Sequence, residues 1–515
     1  MRLIFVLFDS LNRLALGPYG GTIGTPNFDR FAERAVTFDR HYVGSLPCIP
    51  ARRDIQTGRA GFFHRSWGPM EPYDRSFCES LRRKGVHTHL VTDHFHYFEP
   101  GGSDYHTQYD TWDFIRGQEY DPWKAMSEPP LEKFAETYDR RHYDPVKKRR
   151  RLRHLVNRAY EKGEADLPMP RCYASVFEFL DANRGADNWM LQLELFDPHE
   201  PFHAPARFRR EGDSAYEGAV LDWPDYKRVT ETEEEVSEIR ANYAALIRMC
   251  DEYFGHLLDY MDEHDMWKDT AIVLSTDHGF LLSEHGWWGK SRMPYYEEVV
   301  HVPLMVYHPD HAGAGGRRGN ALTQTPDIMP TILDIFGCDA PVEVTGRSLL
   351  SHMPTPEAET DRIVAFGLFA GPVGVTDGRY VMFHYPRDVL GEGLHEYTLM
   401  PQHMVGPFTA GELRTAELSP PFDFTQKMPL LKIAATREAA RPPNLGGSFE
   451  DQGFRLYDLD TDPGQTTPIR DPAVEARLYA GLRAYMAAHD APAESYAWLG
   501  LEPGTDSRAS ALNDE

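Results

Sequence analysis

Cysteine is scarce in this 515-residue chain: there are five, an odd number, scattered from Cys48 to Cys338 without paired spacing. That excludes a disulfide framework and makes a reducing cytoplasm the simplest compartment. Long apolar runs are missing too, so no segment is suited to span a membrane. The run Met1 to Phe8 is short, meets an acid at Asp9 and lacks the longer apolar core and cleavage site of a secretory signal. Positive charge is in deficit, with 54 Lys+Arg against 79 Asp+Glu and a formal net charge of −25. A body of that sign opposes general binding to nucleic acid or an anionic membrane, so any anionic substrate needs a local basic seat. What is present is core material: 41% hydrophobic and 12% aromatic residues beside 26% charged ones, the balance of a soluble globular protein. Roughly 150 residues per domain suggests two or three units, and one large domain with a smaller one also fits.

Four apolar runs read as buried strands that end in polar residues. Arg2 to Phe8 ends at Asp9-Ser10, and Gly85 to Thr92 runs into Asp93-His-Phe-His96. Asn188 to Phe196 runs into Asp197-Pro-His-Glu200, and Thr270 to Leu274 into Ser275-Thr-Asp-His-Gly279. Open α/β sheets bind ligands at the carboxyl ends of their strands, so the four clusters are expected to converge on one site. Thr232-Glu-Glu-Glu235 reads as a capping box opening a long packing helix, with Cys250 on its apolar stripe as core. Residues 117–165 read as a polar insertion. Its basic run, Lys147-Lys-Arg-Arg-Arg151 with Arg153, fits a solvated helix face or a subunit contact in so acidic a body. His311 to Asn320 reads as a surface loop by its Gly and Arg content. From Ile363 onward short β-like runs precede a helix near Ala473 to Ala488, which predicts a smaller α+β domain, and Pro503 to Glu515 reads as a loose tail. Phe95 to Phe98 and Trp287-Trp288 fit either core or an apolar substrate wall.

The most informative segment is Cys48-Ile-Pro-Ala-Arg52, followed by Thr57-Gly-Arg59. At average Pro and Arg usage a Cys-x-Pro-x-Arg match arises by chance with a probability of only ~1%. Asp197-Pro-His-Glu-Pro201 comes next in chain order, then Asp277-His278-Gly279 with Glu284-His285-Gly286 and Lys290. Scaffold punctuation follows at His301-Val-Pro-Leu304, Asp327-Ile-Met-Pro-Thr331, Gly346-Arg-Ser-Leu349, Leu456-Tyr-Asp-Leu459 and Asp462-Pro463. In this order the segments resemble the type I, formylglycine-dependent sulfatase family of the alkaline phosphatase superfamily, from Asp9 to about Pro463.

The resemblance implies an alkaline-phosphatase-like α/β fold: a large mixed, mostly parallel sheet flanked by helices over residues 1–362, with a smaller C-terminal α+β domain over 363–515. It implies that a maturation enzyme oxidises Cys48 to formylglycine. The hydrated aldehyde attacks sulfur through one hydroxyl, and the other then expels sulfate. It implies one divalent cation on Asp9, Asp277, His278 and the modified Cys48, lowering the pKa of the nucleophile and polarising the sulfuryl oxygens. Lys290 would donate to substrate oxygens, Arg52 would support the formylglycine hydroxyl, and His199 would act as general acid toward the leaving group. His94 and His96 match a family Gly-Lys-Trp-His segment loosely and read as substrate ligands or as loop histidines. Arg59 either serves the site or ties down a helix.

The chain departs from the family pattern at Ser10, where many sulfatases carry a second Asp, and at His278, where Asn is frequent. Fewer carboxylates and an imidazole suit Mn²⁺ better than Ca²⁺. The pattern resembles the bacterial arylsulfatase and phosphonate monoester hydrolase branch. The expected activity is hydrolysis of sulfate monoesters, aryl sulfates first. The alternatives are phosphonate monoester or phosphodiester hydrolysis in the same site, or a non-catalytic anion- or metal-binding homologue. Expected partners are a small anionic ester and the formylglycine-generating enzyme, and the insertion and C-terminal region offer subunit contacts for a homo-oligomer.

Overall fold

A strand buried on both faces needs consecutive apolar residues rather than alternating ones, and Arg2–Phe8 supplies them at the centre of an eight-stranded sheet. In the computed structural model, which describes residues 1–389, 391–435 and 453–501, Ile4, Val6 and Phe8 pack on one side with Cys172, Leu246 and Phe254. These partners belong to helices Pro168–Ala182 and Glu233–Glu263. Leu3, Phe5 and Leu7 pack on the other side with Ile49, Ile55 and Ile332, from helices Cys48–Thr57 and Ile328–Ile335. Two helical layers therefore cover the sheet.

The strand order is Arg318–Gln324, Val36–Tyr42, Leu304–Tyr307, Thr270–Thr276, Arg2–Phe8, Trp189–Leu195, His87–Thr92 and Thr111–Phe114. Leu304–Tyr307 runs antiparallel to both neighbours, and the other pairings are parallel. This is the alkaline-phosphatase-like mixed sheet that the sequence predicts. Phe8 lies opposite both Leu195 and Thr276, and Thr92 lies opposite Glu194. The strands thus end level, and the residues after them emerge along one edge. Thr270–Thr276 is two residues longer than the apolar run suggested, because Ser275 and Thr276 satisfy their hydroxyls on Pro303 O and Phe8 O.

Helix Glu233–Glu263 opens with the expected capping box, in which Glu235 N donates to Thr232 Oγ1 and Thr232 N to Glu235 Oε2. Cys250 is fully buried on it. The predicted loop His311–Asn320 is instead a 3-10 turn, Pro309–Ala314, running into the edge strand from Arg318. The insertion folds into short helices Leu131–Thr137, Arg140–Tyr143 and Arg149–Arg158 around Phe134, Tyr143, Leu155 and Trp223. Strands Val364–Gly367, Val373–Thr376, Tyr380–His384 and Arg455–Asp458 form an antiparallel sheet in that order. Helix Pro472–Ala488 packs in one apolar cluster with this sheet and with Tyr42, Phe62 and Phe63 of the first region. Phe95, Tyr97, Trp287 and Trp288 are core residues. No helix among the described residues is long and apolar enough to cross a membrane. The tail expected over Pro503 to Glu515 lies outside the described residues.

Candidate active site

Cys48 is the first residue of a ten-residue helix, Cys48–Thr57, that is buried throughout. Asp54 fixes the approach to it, accepting from Ser45 N at 2.5 Å, Ser45 Oγ at 2.9 Å and Gly61 N at 3.0 Å. Gly58 closes the helix with φ of 66°, a left-handed conformation that glycine adopts at least cost. Cys48 and Arg52 are four residues apart and share a face, with Arg52 Nη1 donating to Cys48 O at 3.2 Å. The positive end of the helix dipole faces the Cys48 position and favours an anion there.

Register then assembles the rest. Asp9 and Asp277 follow the paired residues Phe8 and Thr276, so adjacent strands deliver two carboxylates side by side. One ligand atom each from Asp9, Cys48, Asp277 and His278 lies within 4.8 Å of the others, and all four residues are buried. His278 Nδ1 donates to Gly279 O at 3.0 Å, leaving Nε2 facing Cys48 Sγ at 3.3 Å. Burial drives Asp277 up to about 7, and the neighbouring Asp9 adds to this. Burial would raise Asp9 as well, but Lys290 and Arg52 hold it well below the usual carboxylate range. Burial and then Asp9 push the Cys48 thiol well above its ordinary value, which keeps it protonated and a poor nucleophile. Two carboxylates, an imidazole nitrogen and a sulfur converging in one buried spot form a donor set that could hold a divalent cation.

Arg52 is 1% exposed, and each of its three nitrogens donates to the protein. Its Nε donates to Glu194 Oε1 at 2.7 Å, its Nη2 to Asp9 Oδ2 at 3.0 Å and its Nη1 to Asp277 Oδ2. It ties the carboxylates together while its Nη1 also reaches Cys48 O. Lys290 Nζ reaches Ser10 Oγ at 3.0 Å, Cys48 Sγ at 3.4 Å and Asp9 Oδ1 at 3.6 Å. Burial opposes its charge, but Cys48, Asp9 and Glu200 raise it above the usual lysine value, so it is an ammonium.

A cleft of about 800 Å³ opens over Cys48, Lys290, His199 and His96. A second cavity, about 770 Å³ behind Asn12 and Tyr243, touches none of these groups, so the chemistry picks the first. His199 Nδ1 donates to Glu200 O at 2.6 Å, and burial lowers its pKa to about 4. It is therefore neutral in this state, with Nε2 as an acceptor, and protonates only if a bound anion raises it. His94 is fully buried beneath the cleft, its Nε2 3.5 Å from Asp9 Oδ2 and neither ring nitrogen hydrogen-bonded. His96 lines the cleft between Glu99 at 2.7 Å and Glu119 at 3.3 Å. Burial opposes its charge, but these two carboxylates bring its pKa up to about 9. Arg59 lies elsewhere, binding Asp490 and Ala488 O at the end of a C-terminal helix.

Similarity to known proteins matches this geometry. The family model described as "Sulfatase" matches residues 2–338. The chain belongs to the sulfatase family. An N-acetylglucosamine-6-O-sulfatase of Bacteroides thetaiotaomicron is 23% identical to this sulfatase-family chain over 488 residues, covering 82% of it and 86% of the relative. A choline-sulfatase of Rhizobium meliloti is 28% identical over 364 residues, 65% of this chain and 67% of the relative. The crystal structure of a phosphonate monoester hydrolase of Agrobacterium radiobacter superposes with a TM-score of 0.59 at 18% identity, over 95% of this chain and 96% of the other, a likeness of fold.

Three features of this sulfatase-family site escaped the sequence reading. Glu194 is fully buried and accepts from Arg52, from Tyr97 OH at 2.9 Å and from Gln192 Nε2 at 2.9 Å. Its signal was a charge inside a strand that is otherwise buried core. Glu119 and Glu200 sit beside His96 and His199, and nothing in their spacing marks them. The basic run Lys147–Arg151 has Lys147, Arg149 and Arg150 on a solvated face as expected, and the same face borders the cleft. The insertion's helices carry it there.

Proposed function

We propose that this chain hydrolyses sulfate monoesters, aryl sulfates among them, with a formylglycine made from Cys48 as nucleophile. The observation that carries the reading is Cys48 Sγ at the head of a buried helix, 3.3 Å from His278 Nε2 and 3.4 Å from Lys290 Nζ. Burial and Asp9 favour the protonated thiol over the thiolate, which fits a residue that acts only after conversion by a formylglycine-generating enzyme. Asp9, Asp277, His278 and residue 48 would hold a divalent cation, Mn²⁺ in preference to Ca²⁺ for an imidazole-containing set, and it would supply Lewis acidity to the ester oxygens. Lys290 binds an ester oxygen, and His199, held through Nδ1 by Glu200 O, presents Nε2 toward the leaving-group side. Arg52 and Glu194 keep the carboxylates in place. Trp67, Tyr120, Trp223 and Tyr226 along the cleft suit a ring in the leaving group.

Charge at the floor of the cleft supports a monoanionic scissile group. Asp9, Asp277, Glu194 and Glu200 outweigh Arg52 and Lys290 by two negative charges, which a divalent cation would offset, so the floor would accept a singly charged sulfuryl group without repelling it. Phosphonate monoesters and phosphodiesters carry the same charge, so they form the second reading, favoured by His278 in the metal group and by Ser10 beside Asp9. Five unpaired cysteines, four of them buried, fit a cytoplasmic setting. The test is mass spectrometry of the Cys48 peptide from the native host, with p-nitrophenyl sulfate and phenylphosphonate ester rates in parallel. Formylglycine with faster sulfate release supports the reading, and an unmodified thiol in active protein overturns it.

A further inference from the structure

We infer that the leaving group of the substrate carries a second fixed negative charge, seated on Lys147, Arg149, Arg150 and Arg292 at the mouth of the cleft. The inference rests on the hydrolytic reading above and names the class of ester that this site takes.

The placement comes first. These four cations line the same cleft as Cys48, His199 and Lys290. Lys290 is buried at the floor, whereas Lys147, Arg149 and Arg150 are exposed at the rim. The floor suffices for the scissile group, so the rim is free for what that group is attached to.

The pairing is selective. Lys148 and Arg151 share Asp225 at 2.5 and 2.8 Å, and Lys227 binds Glu231 at 2.8 Å. Among the described residues, no carboxylate lies within ion-pair distance of Lys147, Arg149, Arg150 or Arg292. Asp225 is thus taken up by Lys148 and Arg151, and in a chain with 79 acids to 54 Lys+Arg the other cations of this rim are left without an ion-pair partner. Arg150 is held over the Tyr120 ring at 5.5 Å and Arg151 over Trp223 at 4.6 Å, so the aromatic wall orients this part of the rim.

The local electrostatics are adverse without a ligand. Arg149 and Arg150 open helix Arg149–Arg158, whose first turn holds no acid and whose N-cap makes no side-chain hydrogen bond. Cations at a helix N-terminus oppose its dipole. Helix Glu233–Glu263 of the same chain opens with three glutamates. An anion bound at the rim removes the penalty that the insertion's helix otherwise carries.

The test compares a naphthyl sulfate with one bearing a sulfonate on its far ring. At low ionic strength the doubly charged ester is expected to have a kcat/KM about tenfold higher, through KM, since several exposed ion contacts act together. The preference is expected to shrink as salt rises to about 0.5 M. Combining Lys147→Gln, Arg149→Gln and Arg150→Gln is expected to bring the ratio to about twofold or less. Equal rates for both esters in the wild type, or an unchanged ratio in the variant, overturn the inference. If neither ester is turned over, the hydrolytic reading falls, and equilibrium titration with naphthalene disulfonate against the monosulfonate decides the rim alone. Tighter disulfonate binding that the variant loses supports it, and equal binding of the two overturns it.

Discussion

Glu194→Gln tests whether the carboxylates of the site depend on a buried anchor. The change keeps the shape of the side chain but removes its charge and replaces one acceptor oxygen by a donor. Oε1 takes Arg52 Nε at 2.7 Å, while Oε2 takes Tyr97 OH and Gln192 Nε2, each at 2.9 Å. The amide oxygen must stay toward Arg52, because two facing N–H donors repel. The amide nitrogen then meets Tyr97 OH, which rotates to accept, and Gln192 Nε2, which cannot. Gln192 is itself held by Tyr109 OH at 2.5 Å on its oxygen, so it does not flip freely. One orphaned buried donor costs about 1–3 kcal/mol. Losing one partner of a buried ion pair costs about 3–5 kcal/mol, less here because Arg52 keeps Asp9 and Asp277. We expect a net destabilisation of about 3 kcal/mol, read as a lower urea midpoint followed by tryptophan fluorescence. Because Arg52 then draws Asp9 and Asp277 toward itself unopposed, kcat for p-nitrophenyl sulfate should fall about 10- to 100-fold, the range for supporting residues of a metal site. An unchanged midpoint with kcat within about twofold of wild type would refute the anchor argument, since a spectator glutamate would behave in that way.

Further expectations follow from the same geometry. His96 has a folded pKa of about 9 against an unfolded value near 6.5, so its charge stabilises the fold fully below about 6.5 and the contribution is lost as pH rises through about 9. Glu119→Gln should move the alkaline limb of kcat/KM to lower pH, and an unmoved limb would show that His96 does not act at the cleft. Chelation should lower the melting temperature and restored Mn²⁺ should raise it, by about 2.7 kcal/mol of stability at a hundredfold excess over Kd. In His278→Ala that metal-dependent increment should largely vanish, as differential scanning calorimetry would show. Gly279→Ala should abolish activity and lower stability, because its Cβ would fall 1.9 Å from Glu298 O and 2.9 Å from Asn12 Oδ1. A fully active, normally folded alanine variant would mean that the loop after His278 is free to shift.

The legible parts of this molecule are those whose cause is local. Arg2–Phe8 reads as a buried strand because two covered faces require apolar residues at every position, and that places Asp9 at its end without reference to any other segment. Thr232 and Glu235 cap a helix through contacts three residues apart. Register then does what no single segment states: Phe8 opposite Thr276 makes neighbours of Asp9 and Asp277, 268 residues apart in the chain. Arg52 was found as a residue but not as an anchor, since the destination of its donors depends on Glu194 arriving from another strand. The basic run lies on a solvated face as read, but the cleft that this face borders was not legible, for a related reason. A charge run carries no periodic signal of what it faces, and composition argues only about the average surface, which here is acidic. The deviation from that average is the informative part. An acidic body repels anions over most of its surface, so a rim of cations lacking acidic partners concentrates the attraction at one cleft. Raising ionic strength should therefore slow capture of a doubly charged ester more than of a singly charged one, by a ratio set at the rim and not by the floor, where Lys290 and Arg52 are buried beyond the reach of salt.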